Sequence, residues 1–315
     1  MNESFCLVVN PAARRGRGAL LLPEVLGPLA AAGASVRVRE STSLAHAAAV
    51  AAEAAGRGEA VVAVGGDGMV GRMAAAVAAA SGLLGIVPAG RGNDFARTLG
   101  IPAQPARAAA VLLTGPSRAV DLIGVRAGDG PEVVVAGSVY LGVPSDAAEM
   151  ARASRLTVGG LGYQVAGLRV LLAWQPATFT VALEAGNSQP GRFPGFAVVV
   201  ANSAFLAGGK RAAPAADASD GLLDVITVRD GPKLSFIRVM LMAGRGTHVR
   251  LDQVGAVRAA SVTVTADRPM LAGADGETLP CASPLAPGCP LRIRALPGVL
   301  QAIVPARSTP PAPEA

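Results

Sequence analysis

Three glycine-containing loops carry the residue types that bind phosphates and metal ions. One is Gly65-Gly66-Asp67-Gly68, which follows the apolar run 60–64 and precedes a helix-like stretch from Met69. Glycine lets a backbone turn with positive φ and approach a ligand closely, and a helix N-terminus presents unpaired N–H groups to an anion. Asp67 could orient Mg²⁺ or its water shell, or hold the loop. Taken alone, the loop is equally read as a strand-to-helix turn with Asp67 as N-cap.

Two further loops have similar composition. Residues 10–18 follow the first apolar run, and residues 88–97 follow the fourth. In a parallel sheet all three loops emerge at one edge, which favours a nucleotide crevice over three unrelated turns. The arginines of the first loop could contact phosphates, although solvation at the surface is the alternative; they are Arg14, Arg15 and Arg17.

The elements that position these loops follow from hydrophobic patterning. Up to about Asp121, short apolar runs alternate with Ala-rich stretches of helical length, which is typical of βαβ units and a parallel sheet. The predicted strands are 5–9, 36–38, 60–64, 84–87 and 118–122.

After Asp121 the predicted strands mostly lack crossover helices between them, which indicates an antiparallel β domain. Two helical stretches interrupt them, at 158–174 and 232–243. The predicted strands are 132–139, 178–183, 195–200, 222–228, 256–265 and 291–294.

The predicted fold is therefore α/β with two domains. A doubly wound, Rossmann-like parallel-sheet domain spans 1–122, and a mainly antiparallel β-sandwich domain follows over 123–295. Residues 307–315 are Pro-rich and predict a disordered tail.

Composition narrows the class of protein. The chain has 315 residues, is 51% hydrophobic and carries a net charge of +6, so a disordered chain is excluded. It has neither a long uninterrupted apolar segment nor a dense basic run, which predicts no transmembrane segment and no nucleic-acid partner. Three cysteines without CxxC spacing and no secretory signal pattern predict a cytoplasmic protein. The two histidines, His46 and His248, are read as structural or surface groups.

Five motifs in order resemble one family. They are Asn10-Pro11 with Gly16, the GGDG loop 65–68, the PxGxGNDFAR segment 88–97, the GG…P…DG.LD segment 208–224, and Asp275-Gly276-Glu277. Over residues 4–305 the chain resembles the catalytic family of diacylglycerol kinases, in its soluble bacterial lipid-kinase branch.

The resemblance implies ATP and Mg²⁺ at the edge of the first domain and a lipid in the cleft beside the second, with residues 296–306 returning to the first domain. Glu277 matches the catalytic base, and Asp67 is its predicted catalytic companion. Asp94 and Asp121 could join Asp67 in a Mg²⁺–water network, although a strand-end turn role for Asp121 is equally open. The implied nucleotide-site residues are Asn10, Ser41 (or Thr42 in its place), Gly65, Gly66, Asp67, Gly68, Gly90, Arg91, Asn93 and Asp94.

The resemblance also implies a structural Mg²⁺ site in the second domain, made by Asp217, Asp220 and the carbonyl of Leu222. Basic residues of that domain could draw the cleft towards anionic lipid, or simply be solvated; they are Arg152, Arg155, Arg169, Lys210 and Arg211.

Some positions depart from the family pattern. The family reads GGDGT followed by x-N-E, whereas this chain has Met69, Gly71 and Arg72, and a nucleotide-contacting Thr is replaced by Arg91. These changes bear on ATP binding rather than on the fold. Arg91 would either grip a phosphate or fill the space of the nucleotide.

The sequence thus predicts a lipid kinase that meets its substrate at the inner face of the membrane as a peripheral protein, and that could form a homodimer. Two alternatives remain open. One is an NAD-kinase-like enzyme with a soluble substrate, favoured by GGDG. The other is a non-catalytic lipid- or nucleotide-binding protein, favoured by Gly71, Arg72 and Arg91.

Overall fold

A computed structural model describes residues 4–11, 18–153, 159–184, 191–279 and 284–306, and only the backbone of 18–19, 152–153 and 159–164. Several sequence predictions lie outside these described residues: the roles of Arg14, Arg15, Arg17, Arg152 and Arg155, and the 307–315 tail.

The first half forms the predicted parallel sheet. Continuous apolar runs suit strands that are covered on both faces, and every residue of the third strand is buried. The first strand pairs with the second and third, and the third pairs with the fourth, all in parallel. The strands are β1 (Ser4–Val9), β2 (Ser35–Glu40), β3 (Ala60–Gly65) and β4 (Leu83–Pro88).

Five helices accompany this sheet, and their buried faces are mostly alanine and valine, which allow close packing. The Ser43 hydroxyl caps the second helix by accepting the His46 N–H at 3.0 Å, a typical N-cap contact. The helices are α1 (Leu22–Ala31), α2 (Leu44–Gly56), α3 (Asp67–Ala79), α4 (Asp94–Thr98) and α5 (Pro105–Thr114).

The second half is built from antiparallel pairs, as predicted. Its strands are β5 (Ser117–Ala127), β6 (Val133–Val135), β7 (Ser138–Gly142), β8 (Ala177–Leu183), β9 (Gly191–Ala201), β10 (Leu223–Arg229), β11 (Val254–Ala259), β12 (Ser261–Ala266), β13 (Ala272–Ala274), β14 (Glu277–Thr278) and β15 (Leu291–Ile303). Three helices follow the first half: α6 (Val143–Ala153), α7 (Gly159–Ala173) and α8 (Lys233–Ala243).

Two sequence predictions need correction because a strand changes partners. The predicted strand 256–265 is two strands that break at Ala260: β11 pairs with β10, whereas β12 pairs with β8 and β15. The predicted strand 132–139 is likewise β6 on β5, then β7 on β9 and β13. Helix α6 is absent from the predicted elements.

The two halves meet along β5 and β15. These long strands pair with each other in antiparallel fashion, and β15 also pairs in parallel with β4 at Gln301 and Ala302. One hydrophobic core lies in the α/β half and a second lies in the β-rich half. The domain limits near 122 and 295 stay a prediction, and both positions fall inside these two strands. The α/β class with a Rossmann-like unit and a β-sandwich unit is confirmed.

Helix length matters for any contact with a membrane. Among the described residues, no helix is long and apolar enough to cross a bilayer.

His248 yields a prediction about pH. Its ring is 3% exposed, Nε2 lies 3.0 Å from the Ala212 carbonyl oxygen, and Nδ1 has no hydrogen-bond partner among the described residues. Burial lowers the pKa of His248, so the folded state binds fewer protons than the unfolded state below the ordinary histidine pKa. The contribution of His248 to the free energy of unfolding is therefore most favourable near pH 7, where the ring is neutral, and it is lost as the pH falls through the folded pKa.

Urea denaturation measured from about pH 7 to about pH 5 checks this. Across that range the free energy of unfolding of the wild type should fall relative to that of His248→Gln, which keeps a donor for Ala212 and lacks the titrating ring. Equal slopes would contradict a buried neutral histidine.

Candidate functional site

The glycine loops after β3 and β4 pack tightly against each other at the carboxyl edge of the sheet. Ala89 N–H donates to the Gly65 carbonyl at 2.8 Å. A Cβ on Gly90 would lie 2.5 Å from the Gly66 Cα, which is closer than real Cβ contacts come. Both positions therefore require glycine for the two loops to meet, and Gly66 is the N-cap of α3.

Asp67 holds the second loop in place. Its carboxylate accepts the N–H groups of Asn93 at 2.7 Å and Asp94 at 2.6 Å. Asn93 has a left-handed backbone with φ of 54°, and its Oδ1 accepts the Gly90 N–H at 2.8 Å. These bonds show that Asp67 supports the loop. Its Oδ1 also accepts the Phe95 N–H at 3.4 Å, whereas Oδ2 accepts the Asn93 N–H and keeps a lone pair for a further ligand.

Asp94 connects this loop to the second half of the chain. Its carboxylate accepts the N–H groups of Gly208 at 3.0 Å and Gly209 at 2.6 Å. Burial raises the pKa of Asp94, the Asp67 charge raises it further, and the two N–H bonds oppose the rise.

Asp67 and Asp94 face a common space beside Gly92. A Cβ on Gly92 would lie 2.8 Å from Asp67 Oδ2 and 3.2 Å from Asp94 Oδ2. Mg²⁺ is held in proteins by one or two carboxylates together with substrate phosphates and water. The Oδ2 atoms of Asp67 and Asp94 therefore lie on the same side of Gly92 and are the groups that would hold Mg²⁺ together with phosphate and water, and a cation between them would offset the repulsion between the two charges.

The 275–277 turn packs on the first turn of α3. Glu277 Oε1 lies 3.4 Å from the position of a Cβ on Gly68, so this carboxylate lies directly over the GGDG loop. The second and the last of the five sequence motifs thus meet at one place.

Asp275 is half-buried and holds this turn. Its carboxylate accepts the N–H groups of Ala136 at 2.8 Å, Gly137 at 2.9 Å and Ser138 at 3.0 Å. Burial raises the pKa of Asp275 to about 6, although the three N–H bonds favour the charged form. Asp275 is absent from the predicted site residues. Its signal in the sequence is the Asp-Gly pair, since Asp275 and Gly276 both adopt positive φ.

A cleft opens where α3, β6 and the 275–279 segment meet. Two positions that depart from the family pattern, Gly71 and Arg72, lie on its wall together with Glu277. A Cβ on Gly71 would come within 2.8 Å of Asp275 Oδ2. Gly71 therefore leaves room for the Asp275 carboxylate.

The remaining predicted nucleotide residues are placed at the same sheet edge. Asn10 follows β1, and its N–H donates to the Val64 carbonyl at 3.1 Å. Ser41 follows β2, and its buried hydroxyl donates to the Val9 carbonyl at 3.0 Å. Arg91 is exposed to solvent in the loop after β4.

Asp121 makes a different set of contacts. Its carboxylate accepts the N–H groups of Gly221 and Gly298, both at 2.7 Å, and its own N–H donates to the Ala218 carbonyl. Asp121 thus ties the 217–222 segment to β15. These bonds match the structural role left open for it rather than a place beside Asp67 and Asp94.

The predicted second-domain metal ligands, Asp217, Asp220 and Leu222, do not fit a metal ion in their present contacts. Asp220 forms an ion pair with Arg258 and accepts the Leu222 N–H at 3.0 Å, while Asp217 accepts the Ser219 hydroxyl at 2.6 Å. A cation would compete with Arg258 for Asp220. Nowhere in the described part of the chain do three or more Asp, Glu, His or Cys residues form a group that could hold a metal.

Comparison with known proteins places this site in a family. The diacylglycerol kinase catalytic domain model matches residues 4–125, and the model of the YegS C-terminal NAD kinase beta sandwich-like domain matches residues 137–304. The chain belongs to the diacylglycerol kinase family of lipid kinases.

Individual relatives agree with this kinase assignment. The chain is 31% identical to the diacylglycerol kinase of Mycobacterium tuberculosis (strain H37Rv), over 78% of this chain and 77% of that protein. It is 28% identical to the diacylglycerol kinase of Bacillus subtilis (strain 168), over 86% and 88% of the two chains. A solved diacylglycerol kinase structure from Bacillus anthracis str. Sterne shares the fold, with a TM-score of 0.71, 20% identity, and 96% and 97% of the two chains covered.

The Gly71 contact yields a prediction about stability. Gly71→Ala should lower the free energy of unfolding by ~1–3 kcal/mol, because the new methyl group meets a carboxylate that three N–H bonds hold in place. Urea denaturation measures the change. Gly56→Ala is the matched control, since nothing lies within 4 Å of its Cβ position. An unchanged midpoint for Gly71→Ala would contradict this packing.

Proposed function

We propose that this kinase transfers the γ-phosphate of ATP to the hydroxyl of a membrane lipid, with diacylglycerol or a related long-chain alcohol as acceptor. The observation that carries the proposal is the position of Glu277, whose carboxylate lies over Gly68 beside the N-terminus of α3. This arrangement sets a proton acceptor next to a phosphate-binding loop. Relatives named diacylglycerol kinase support the lipid acceptor.

Glu277 would act as general base. A lipid hydroxyl is a poor nucleophile, and a carboxylate within hydrogen-bond reach takes its proton as the bond to phosphorus forms. The cleft beside Glu277 is lined partly by the apolar strand residues Val133, Val134 and Val135, which suit the approach of a lipid.

The glycine loops would bind the phosphates of ATP. The helix dipole and the first N–H groups of α3 favour negative charge at Gly66 to Gly68. Asp67 and Asp94 would hold Mg²⁺ in the space beside Gly92. When bound, Mg²⁺ neutralises charge on the phosphate oxygens. Asp67 also keeps the 90–94 loop in position through its bonds to Asn93 and Asp94.

Substitution of Glu277 tests the proposal. Glu277→Gln should lower turnover of labelled ATP with a mixed lipid extract by ~10²- to 10⁴-fold, which is the usual contribution of general acid–base catalysis, and should leave ATP binding in place. Glu132→Gln is the matched control, because Glu132 is a surface carboxylate paired with Arg294. Wild-type turnover in Glu277→Gln would remove Glu277 from the mechanism.

A non-catalytic binding protein is the second candidate, favoured by Gly71, Arg72 and Arg91. ATP with Mg²⁺ at ~100-fold over its Kd should stabilise a competent kinase by about 2.7 kcal/mol and raise its melting temperature. If neither phosphate transfer nor this shift occurs, the second candidate replaces the kinase proposal. Turnover of NAD in the absence of lipid would instead favour a soluble acceptor.

A further inference from the structure

Helices α7 and α8 expose large apolar side chains to solvent. Leu172 on α7 is 62% exposed, and on α8 Leu234 is 77% and Leu241 is 75% exposed. Val165 and Leu168 on α7 are also exposed. Scattered exposed leucines are ordinary in proteins, whereas a group on neighbouring helices marks an interaction site.

The two helices dock side by side on one strand. Trp174, just after α7, donates its indole N–H to the Gly195 carbonyl at 3.3 Å. On α8, Phe236 stacks against Phe196 with ring centroids 5.0 Å apart. The Lys233 ammonium at the start of α8 donates to the Leu172 carbonyl near the end of α7. The end of α7 therefore meets the start of α8, so Leu172 and Leu234 lie close to this junction.

The spacing on α8 separates the two faces. Phe236, Val239 and Ala243 point into the core. The residues at 234, 238 and 241 follow one another at intervals of four and three, which is one stripe of a helix. That stripe reads Leu, Arg, Leu, and Arg245 follows in the turn after α8; all four side chains are exposed.

Charge on this surface has one sign. Exposed cations accompany the leucines on both helices, and neither 159–173 nor 233–243 contains Asp or Glu. The cations are Arg169, Lys233, Arg238 and Arg245. Apolar side chains mixed with lysine and arginine, and free of acids, match the interface of an anionic bilayer.

We propose that the α7–α8 surface, defined by Val165, Leu168, Arg169, Leu172, Lys233, Leu234, Arg238, Leu241 and Arg245, docks on an anionic lipid bilayer. The leucines enter the interface, and the arginines reach the lipid phosphates while their aliphatic stems cover apolar area. A symmetric contact between two copies would place these cations against themselves, which costs energy. Charge thus favours the bilayer over a second copy.

This surface is connected to the candidate site. Helix α7 packs on α6, and α6 contacts β13 and β14. Glu149 on α6 accepts the Thr278 hydroxyl at 2.7 Å, and Thr278 follows Glu277. The inference deepens the proposed function by naming the surface that meets the lipid, and its link to activity rests on that function. Binding itself needs no phosphate transfer.

Vesicle flotation tests the surface without ATP. The wild type should float with vesicles of phosphatidylcholine and phosphatidylglycerol in equal parts, and much less with phosphatidylcholine alone. Arg169→Gln/Arg238→Gln/Arg245→Gln should bind on the order of 100-fold more weakly, at about fivefold for each charge. Leu234→Gln/Leu241→Gln should bind at least ~10-fold more weakly, because two apolar insertions are lost.

Controls keep folding and catalysis separate from docking. Arg107→Gln and Leu20→Gln remove an exposed cation and an exposed leucine elsewhere, and should float like the wild type. Glu277→Gln should also float like the wild type, which distinguishes loss of activity from loss of vesicle binding. Circular dichroism and melting temperature verify that each surface variant is folded.

Two results would overturn the proposal. One is equal flotation of the wild type and both folded surface variants. The other is a wild type that does not float and forms a dimer in solution that Leu234→Gln/Leu241→Gln converts to monomer, which would assign the surface to a second copy.

Discussion

Backbone N–H groups donated to aspartate carboxylates hold the distant segments of this kinase in register. Asp67 binds the loop after β4, Asp94 binds the 208–209 turn, and Asp275 binds the 136–138 segment. Each carboxylate joins residues far apart in sequence and accepts two or three donors. Charge-assisted hydrogen bonds of this kind are the strong ones, and a partly buried carboxylate without them would be costly.

The same constraint explains where glycine is needed. Carboxylate oxygens occupy the space beside Gly71, Gly92 and Gly137 that a Cβ would fill, at 2.8 to 2.9 Å. At Gly92 this space adjoins the carboxylates of Asp67 and Asp94, which we propose to hold Mg²⁺. At Gly71 the same geometry leaves room for the Asp275 carboxylate.

The α7–α8 surface shows a second use of the fold. The β-rich half offers one strand on which two helices dock, and their inward aromatic residues satisfy the core. The solvent-facing residues of both helices do not pack in the core, and they include leucine and arginine. Because α6 lies between α7 and the Glu277 strand, the helices that we assign to the bilayer and the carboxylate that we assign to catalysis belong to one packed unit.

Local patterning in the sequence was sufficient for much of the fold. Continuous apolar runs identified β1, β3 and β4, and stretches of helical pattern identified α7 and α8, all to within one or two residues. Such patterns are properties of short segments, so they can be read without the tertiary structure. The family motifs predicted a kinase, and the comparisons confirmed that family. The specific lipid, the metal and the roles of the site residues stay predictions.

Tertiary structure decided what depends on contacts between distant segments. A single predicted strand at 256–265 became two because its ends have different partners, and no local signal encodes a partner. The hydrogen-bond partners of Asp275 and Asp121 could likewise not be predicted, because they depend on which backbone N–H groups the fold brings to each carboxylate. The sequence by itself determined the elements and the chemistry they carry, and only the tertiary structure decided which carboxylates support the loops and which face the cleft.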